Sequence, residues 1–404
     1  MRSVKVVAFT LAIAFVLLAF TAQPVAAANR YDSLRTYMNS RYDAARGGYS
    51  IPGDGVTRIN PTYGAITIMN EVGTLDNRPP PVPITDVLNF IVTHQWLTGN
   101  EDEEPRFGGL SDYLLGPVTQ IVNYHGLVTW QLLEVQGDVP GVPDYDINVT
   151  ASLFWINKTQ TAEGGFGVSA EALDEGDGPD LLSTAYALAS IRILDTMYQE
   201  ENAWSWLINE TATVEWIESC FDGDAYKMSP DSYLPSVTAT AAAVIAYHAL
   251  DPLSTVPHSS SIQSWLRDRQ ILDYETPEFI GGFEEGNGTE VPSLTSTYYA
   301  LTAMDILATV STTNVTAAQS FLLNCQSEDG AFANAPGFAT GSLLYGGYVC
   351  EVFGMAEFGG ANDVLSSSAF PYSPGATGVE WRTFVIIGII FVAAVLAVLA
   401  VRAD

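Results

Sequence analysis

Lysine is nearly absent from this chain: only Lys5, Lys158 and Lys227 occur in 404 residues. With 16 basic residues against 46 acidic ones the formal net charge is −30, and the imbalance comes more from missing bases than from surplus acids. A field of that sign repels nucleic acid and anionic lipid, which argues against either as a partner. Cysteine is scarce as well. Cys220, Cys325 and Cys350 are too few for a disulfide-stapled scaffold. The four histidines, His94, His125, His248 and His258, form no Cys/His cluster with the spacing of a zinc site. What is plentiful is apolar. At 48% hydrophobic and 11% aromatic, the chain can bury a large core and is not disordered.

The two ends suggest a compartment. Residues 1–28 open with Arg2 and Lys5, run apolar from Val6 to Phe20, and finish in Pro24-Val25-Ala26-Ala27-Ala28. A charged start, a short apolar run and small residues at the end describe a secretory signal peptide, with an uncleaved N-terminal anchor as the alternative. Near the other end, Phe384 to Val401 carries no charge and is bracketed by Arg382 and Arg402. That length suffices to cross a hydrocarbon core of about 30 Å as one helix. The expected layout is a signal peptide over 1–28, a body over 29–365, a linker over 366–382, a transmembrane helix over 383–401 and a cytoplasmic tail over 402–404. A single-pass protein of the cell membrane with its bulk outside the cytoplasm follows, unless the C-terminal stretch is an anchoring signal that is itself removed. Five N-glycosylation acceptors, Asn148, Asn157, Asn209, Asn287 and Asn314, fit that placement, while Asn60 is excluded by the following Pro61.

Between the ends the chain repeats itself. A glycine turn followed by an apolar or aromatic residue recurs at Gly48, Gly109, Gly165, Gly223, Gly282 and Gly330. A proline follows each of them, at Pro61, Pro117, Pro179, Pro235, Pro292 and Pro336, so two markers share one period of 44 to 62 residues. Proline suits the first turn of a helix, so each is expected to precede or open the apolar run behind it. Runs such as Leu181 to Ile193, Thr238 to Leu250 and Ser296 to Val310 are apolar on most sides, as buried helices are. More polar helices precede the glycines, for example over 89–96, 152–160, 213–220, 262–270 and 317–326. Six outer-helix, glycine-loop, inner-helix units predict an all-α chain. Closure into a ring is favoured over an open solenoid, because the period exceeds the common solenoid repeats and no polar capping repeat shows at either end. None of the five acceptor asparagines falls on an inner helix.

The stretch Phe154 to Leu188, with Trp265 to Leu301 and Phe321 to Phe332, resembles the repeat of protein prenyltransferase β-subunits and squalene/terpene cyclases. The shared pattern is a helix ending in Gln, a few polar residues, Gly-Gly-Phe, and then Ser-Thr-x-Tyr-Ala-Leu. The likeness extends over most of residues 31–360. It implies a closed (α/α)6 toroid of six helix-pair repeats around a central cavity, and leaves the chemistry open. The zinc ligands of the prenyltransferases would fall near Ser293 and Thr295 and around 339–342, where this chain has none. Nor does an inner helix carry an aspartate-rich cyclase motif.

Three other sets of residues carry chemistry. Asp174, Glu175, Asp177 and Asp180 lie in a glycine-rich loop, where they form either a solvated loop with Asp180 capping the next helix or a Ca²⁺ site. Tyr63, Tyr124, His125, Trp130, Tyr186, Tyr298 and Tyr299 lie near the starts of inner helices, as ligand-cavity lining or as core. Acidic loops at the same end make a negative mouth, suited to a cation, a polyol or a basic protein. Cys220 and Cys325 occupy matching places in two repeats, and Cys325 either pairs with Cys350 or stays a buried thiol. Two classes of function stay open. One is a surface module that binds an extracellular ligand or protein without zinc chemistry and with no cofactor. The other is an enzyme using the cavity, acting on isoprenoids or on glycans.

Overall fold

The computed structural model describes residues 28–75, 82–136, 146–198, 202–286, 288 and 291–372. The expected membrane helix, and the expected signal peptide apart from Ala28, lie outside these residues. Among the described residues no helix is long and apolar enough to cross a membrane. The chain divides into two units, Leu34–Val364 and a smaller one of Met1–Ser33 with Leu365–Asp404. In the smaller unit, Asn29 bridges Ala369, and the Phe370 amide donates to the Ala28 carbonyl at 2.9 Å.

Fourteen α-helices form among the described residues, twelve of them as six outer–inner pairs. The pairs are α1 (Arg30–Arg41) with α2 (Ile59–Glu71), α3 (Ile84–Thr93) with α4 (Gln120–Gln136), and α5 (Val149–Lys158) with α7 (Leu181–Met197). They continue as α8 (Glu210–Ser219) with α9 (Val237–Leu250), α10 (Ser259–Arg267) with α11 (Leu294–Ile306), and α12 (Val315–Asn324) with α13 (Leu343–Gly354). Short helices α6 (Ala170–Glu175) and α14 (Ala361–Ser367) are additions. Each inner helix packs against the next, α2 on α4, α4 on α7, α7 on α9, α9 on α11 and α11 on α13, and α13 returns to α2. The ring is therefore closed. Its seam is made by glycine: a Cβ on Gly64 would stand 2.2 Å from the Leu343 carbonyl oxygen, and one on Gly347 would stand 2.9 Å from the Gly64 Cα. Only helices without side chains at these points approach so closely.

The repeat has a shared hydrogen-bond logic. The last Gln of an outer helix turns back beneath its glycine loop and holds the start of the next outer helix. Gln270 Nε2 donates to the carbonyls of Gly281 (3.1 Å) and Asn314 (3.0 Å), while its Oε1 accepts from the Asn314 amide (2.8 Å). Gln95 and Gln160 make the corresponding bonds in their repeats. The first glycine of each pair must be glycine twice over. Gly164 has φ 105°, and a Cβ there would lie 2.3 Å from the Ala212 backbone. Next, the aromatic amide is received by an inner-helix threonine, as in Phe166 N to Thr184 Oγ1 (3.0 Å), Tyr226 N to Thr240 Oγ1 (3.1 Å) and Phe283 N to Thr297 Oγ1 (2.9 Å). These bonds produce short ladders that a purely helical expectation leaves out: β1 (Tyr42–Asp43), β2 (Gly48–Ser50) and β3 (Thr57–Arg58), and β4 (Phe283–Glu284) with β5 (Pro292–Ser293). Gln270→Leu removes three hydrogen bonds and leaves the Gly281 carbonyl and the Asn314 amide without a protein partner, while the Asn314 carbonyl still accepts from the Ala318 amide, so a loss of about 2 kcal/mol is expected. Urea unfolding of the variant checks this, and an unchanged midpoint would refute the staple.

Pro61 lies in the first turn of its inner helix, and the other five prolines precede theirs. Pro179, Pro235 and Pro292 stand two residues ahead of their helices, because the residue between is the N-cap. Asp180, Ser236 and Ser293 accept there from a helix amide, and the Asp180 and Ser236 amides donate to the Phe166 and Tyr226 carbonyls, both at 3.1 Å. A proline at the cap position has no N–H for that bond.

A second chain of bonds sets the polarity of the ring. The first amide of an inner helix donates to a carbonyl in the following repeat's loop: Ile59 to Asp112 (2.8 Å), Gln120 to Val168 (3.0 Å), Leu181 to Met228 (2.8 Å), Val237 to Glu285 (2.8 Å) and Leu294 to Asn334 (2.7 Å). All the glycine-to-inner-helix loops thus lie at one end.

Candidate functional site

The inner helices point aromatic rings into the lumen one and a half turns from their starts. Tyr63 on α2 lies flat on His125 of α4, with centroids 4.0 Å apart, and Tyr298 of α11 lies flat on Tyr348 of α13, also at 4.0 Å. Tyr124 meets Tyr186 at 4.9 Å. Two contacts span helices that are not neighbours. The Tyr186 and Tyr299 hydroxyls meet at 2.6 Å past α9, which offers only alanines 239 and 241–243, threonine and valine at this level. His125 approaches Tyr348 at 6.4 Å past α2. Together the rings form an aromatic plate across the lumen.

Glu351, a turn further along α13, sits beneath this plate and accepts from the Tyr63 hydroxyl at 2.6 Å, with Tyr298 as a second donor. Burial pushes its carboxyl up to about 7; the two tyrosine bonds oppose that shift and Glu71 adds to it. Glu71 is itself raised by burial, although Asn70 donates to it at 3.0 Å. Burial holds His125 down to about 3, so its ring is neutral and donates from Nδ1 to Asn60 Oδ1 at 2.8 Å. The hydroxyls of Tyr63, Tyr186, Tyr298 and Tyr348 are pushed well up by burial and stay protonated. Glu351, Tyr124 and Tyr298 remain only half-buried at the middle of the ring, so small spaces reach them. This lumen can donate and accept hydrogen bonds, and it holds one proton that is exchangeable near neutral pH.

Six of the sequence-singled aromatics, Tyr63, Tyr124, His125, Tyr186, Tyr298 and Tyr299, come together here. Trp130 does not: it is buried and stacks on Tyr198 at 5.5 Å, between α4 and α7. Sequence reasoning missed Glu351, Tyr348 and Glu71. Glu351 had a signal, as the one charge inside the apolar run Leu343–Gly354.

Elsewhere, Asp174 and Glu175 end α6, and with Asp177 they are exposed, while Asp180 caps α7, accepting from the Ser183 amide (2.8 Å) and hydroxyl (2.6 Å). Among the described residues no group of three His, Cys, Asp or Glu side chains is placed to hold a metal ion. At the expected zinc positions, Ser293 and Ser342 cap inner helices, and Thr295 donates to Asn334 Oδ1 at 2.7 Å. All three cysteines are free and buried, so the Cys325–Cys350 bridge is not formed. Asn148, Asn209 and Asn314 are exposed N-caps of outer helices. The Asn157 amide nitrogen is engaged by the Trp206 carbonyl, and Asn287 lies outside the described residues.

A closed double ring of six helix pairs defines the alpha-alpha toroid class. The chain matches the model of the prenyltransferase alpha-alpha toroid domain over residues 4–212 and 173–350, and it belongs to that family. No curated protein matches it. Candida albicans protein geranylgeranyltransferase-I, solved with GGPP, is 14% identical with a TM-score of 0.57, over 80% of this chain and 90% of that one. A family 76 glycoside hydrolase (mannosidase) from Bacteroides thetaiotaomicron is 12% identical with a TM-score of 0.51, over 81% of this chain and 98% of that one. At such identities the likeness is one of fold.

Proposed function

We propose that this toroid is a binding module displayed outside the cytoplasm, held to the membrane by its C-terminal apolar stretch and glycosylated on its outer helices, and that it works without turnover. The observation that carries this reading is the aromatic plate. Where a substrate would lie in a toroid enzyme, Tyr186 and Tyr299 close hydroxyl to hydroxyl, and two stacked pairs stand beside them, leaving only small spaces. Ser293, Thr295 and Ser342 spend their side chains on capping and loop bonds, which supports the absence of a prenyltransferase-type zinc centre. The exposed caps Asn148, Asn209 and Asn314 support glycosylation.

A second reading rests on Glu351. A carboxyl held near neutrality beside Glu71 is how a glycan-active enzyme keeps its general acid. Incubating the full chain with geranylgeranyl diphosphate and a cysteine-containing peptide, with Zn²⁺, and separately with mannan oligosaccharides, separates the two. No product is expected from either. Product formation that Glu351→Gln abolishes would replace the module reading with the enzymatic one.

A further inference from the structure

The loop end of the ring is not dressed as an ordinary surface. Of the thirteen large apolar side chains exposed among the described residues of this unit, eleven stand at that end and two, Ile208 and Leu253, at the other. Each of the six repeats contributes at least one from the same loop: Val56, Leu115, Val168, Tyr233, Val291 and Phe338. Tyr233 is 90% exposed, Leu115 68% and Phe338 59%. Scattered apolar residues need no explanation, but a recurrence at one structural position, on loops tied to one another, marks an interaction site. Leu115 adds a backbone cost, since it is held at φ 65°, where a leucine is disfavoured by about 1–2 kcal/mol.

Charge indicates what that site accepts. Two cations of this end are already paired with carboxylates, and a third is held by a backbone carbonyl. Arg58 pairs with Asp54 (2.8 Å) and Asp112 (3.0 Å), Arg106 with Glu104 (2.8 Å) and Glu171 (3.5 Å), and Lys227 donates to the Pro230 carbonyl (2.9 Å). Exposed carboxylates such as Glu103, Asp177, Asp224 and Glu328 have no such partner. Between the third and fourth repeats, a cleft of about 510 Å³ opens at this end, walled by Trp216 with Glu163, Glu215 and Asp231. An acidic cleft that reaches the margin of a buried indole suits a lysine or arginine side chain. A second copy of this chain would bring an equally acidic rim, and an anionic lipid surface would be repelled.

We propose that this end of the ring docks a cationic, amphipathic polypeptide segment of a partner protein, its apolar side chains on the rim and a lysine or arginine in the Trp216 cleft. The proposal deepens the module reading and rests on it. The test titrates the full chain, in neutral detergent, with a synthetic amphipathic peptide of lysine and leucine and with its glutamate–leucine counterpart. Tight, salt-sensitive binding of the first and none of the second is expected. Tyr233→Ser with Phe338→Ser, and Glu163→Gln with Asp231→Asn, should each weaken it by about tenfold. Leu253→Ser with Glu210→Gln, at the opposite end, should change it less than about twofold. Because all these positions are at the surface, an unchanged melting midpoint confirms folding. Equal loss from both ends would mean unspecific charge attraction and overturn the proposal. So would rim-dependent binding of phosphatidylcholine vesicles in place of the peptide, or a dimer that the rim variants dissolve. Failure of docking with no turnover sinks this inference alone, whereas turnover with docking intact sinks the module reading alone.

Discussion

Gly64→Ala is expected to destabilise the ring by about 3 kcal/mol or more, whereas Gly346→Ala, three residues from Leu343 at the same seam, should change stability by less than about 1 kcal/mol. Both replace a helical glycine, and helix propensity alone favours alanine by up to about 1 kcal/mol at each. What differs is the neighbour. The new methyl at position 64 would sit 2.2 Å from the Leu343 carbonyl oxygen, a backbone atom of α13 that cannot rotate aside. At position 346 it would meet the tip of Ile68 at 3.0 Å, and that side chain can turn. Overpacking that must be relieved by moving backbone lies at the upper end of the usual 1–3 kcal/mol range. Here, moreover, the shift opens the contact on which closure depends. With about 2.1 cal/mol/K of unfolding entropy per residue, such a loss lowers the melting midpoint by roughly 4 °C. Thermal unfolding of the two variants side by side is the measurement. Equal midpoints would show that the seam is looser than the glycine geometry requires.

The second large effect is one of pH. Glu351 keeps its proton to about 7 in the folded chain, while an unfolded glutamate releases it near about 4.3. Between those values the folded state binds more protons, so this group's contribution to stability declines as pH rises and is gone above about 7. Its upper limit is on the order of 3 kcal/mol, reduced because water reaches the half-buried carboxyl. His125 acts in the opposite sense. Unfolded imidazole takes up a proton below about 6.5, but the buried ring resists until about 3, so stability is lost as pH falls through that window. Between about 4.5 and 6.5 the two slopes oppose each other. Glu351→Gln removes one of them, so its stability should climb with pH over that interval relative to the unsubstituted chain. Urea unfolding at a series of pH values gives the difference, in which groups remote from position 351 cancel, while Glu71, coupled to Glu351, contributes in the same sense. Parallel profiles would show that Glu351 does not titrate where its burial puts it.

Legibility in the sequence followed the range of the interaction. The glycine turns, the glutamines before them and the Asp180 cap act over a few residues, and the structure uses them at the expected places. Pro179, Pro235 and Pro292 stand two residues ahead of their helices because the cap residue between needs its own N–H, a requirement that periodicity does not reveal. Tyr63, Tyr186 and Tyr298 were visible as aromatics near helix starts, yet the same reasoning included Trp130. At that resolution, helix rotation cannot separate a lumen-facing ring from one wedged between neighbours. Glu351 lay beyond reach for a related reason. Its environment is assembled from Tyr63 on the first inner helix and Tyr298 on the fifth, far apart in the chain.

By itself the sequence determined the number of repeats, the order of outer helix, loop and inner helix, and the acidic character of the surface, because each follows from local pattern or simple sums. Only the tertiary structure decided that α13 closes on α2, that aromatic rings fill the lumen above a carboxyl held near neutrality, and that the apolar loop residues of the six repeats gather at one end. Those properties arise from contacts between helices and loops in different repeats, and their energies depend on distances that no single segment of chain contains.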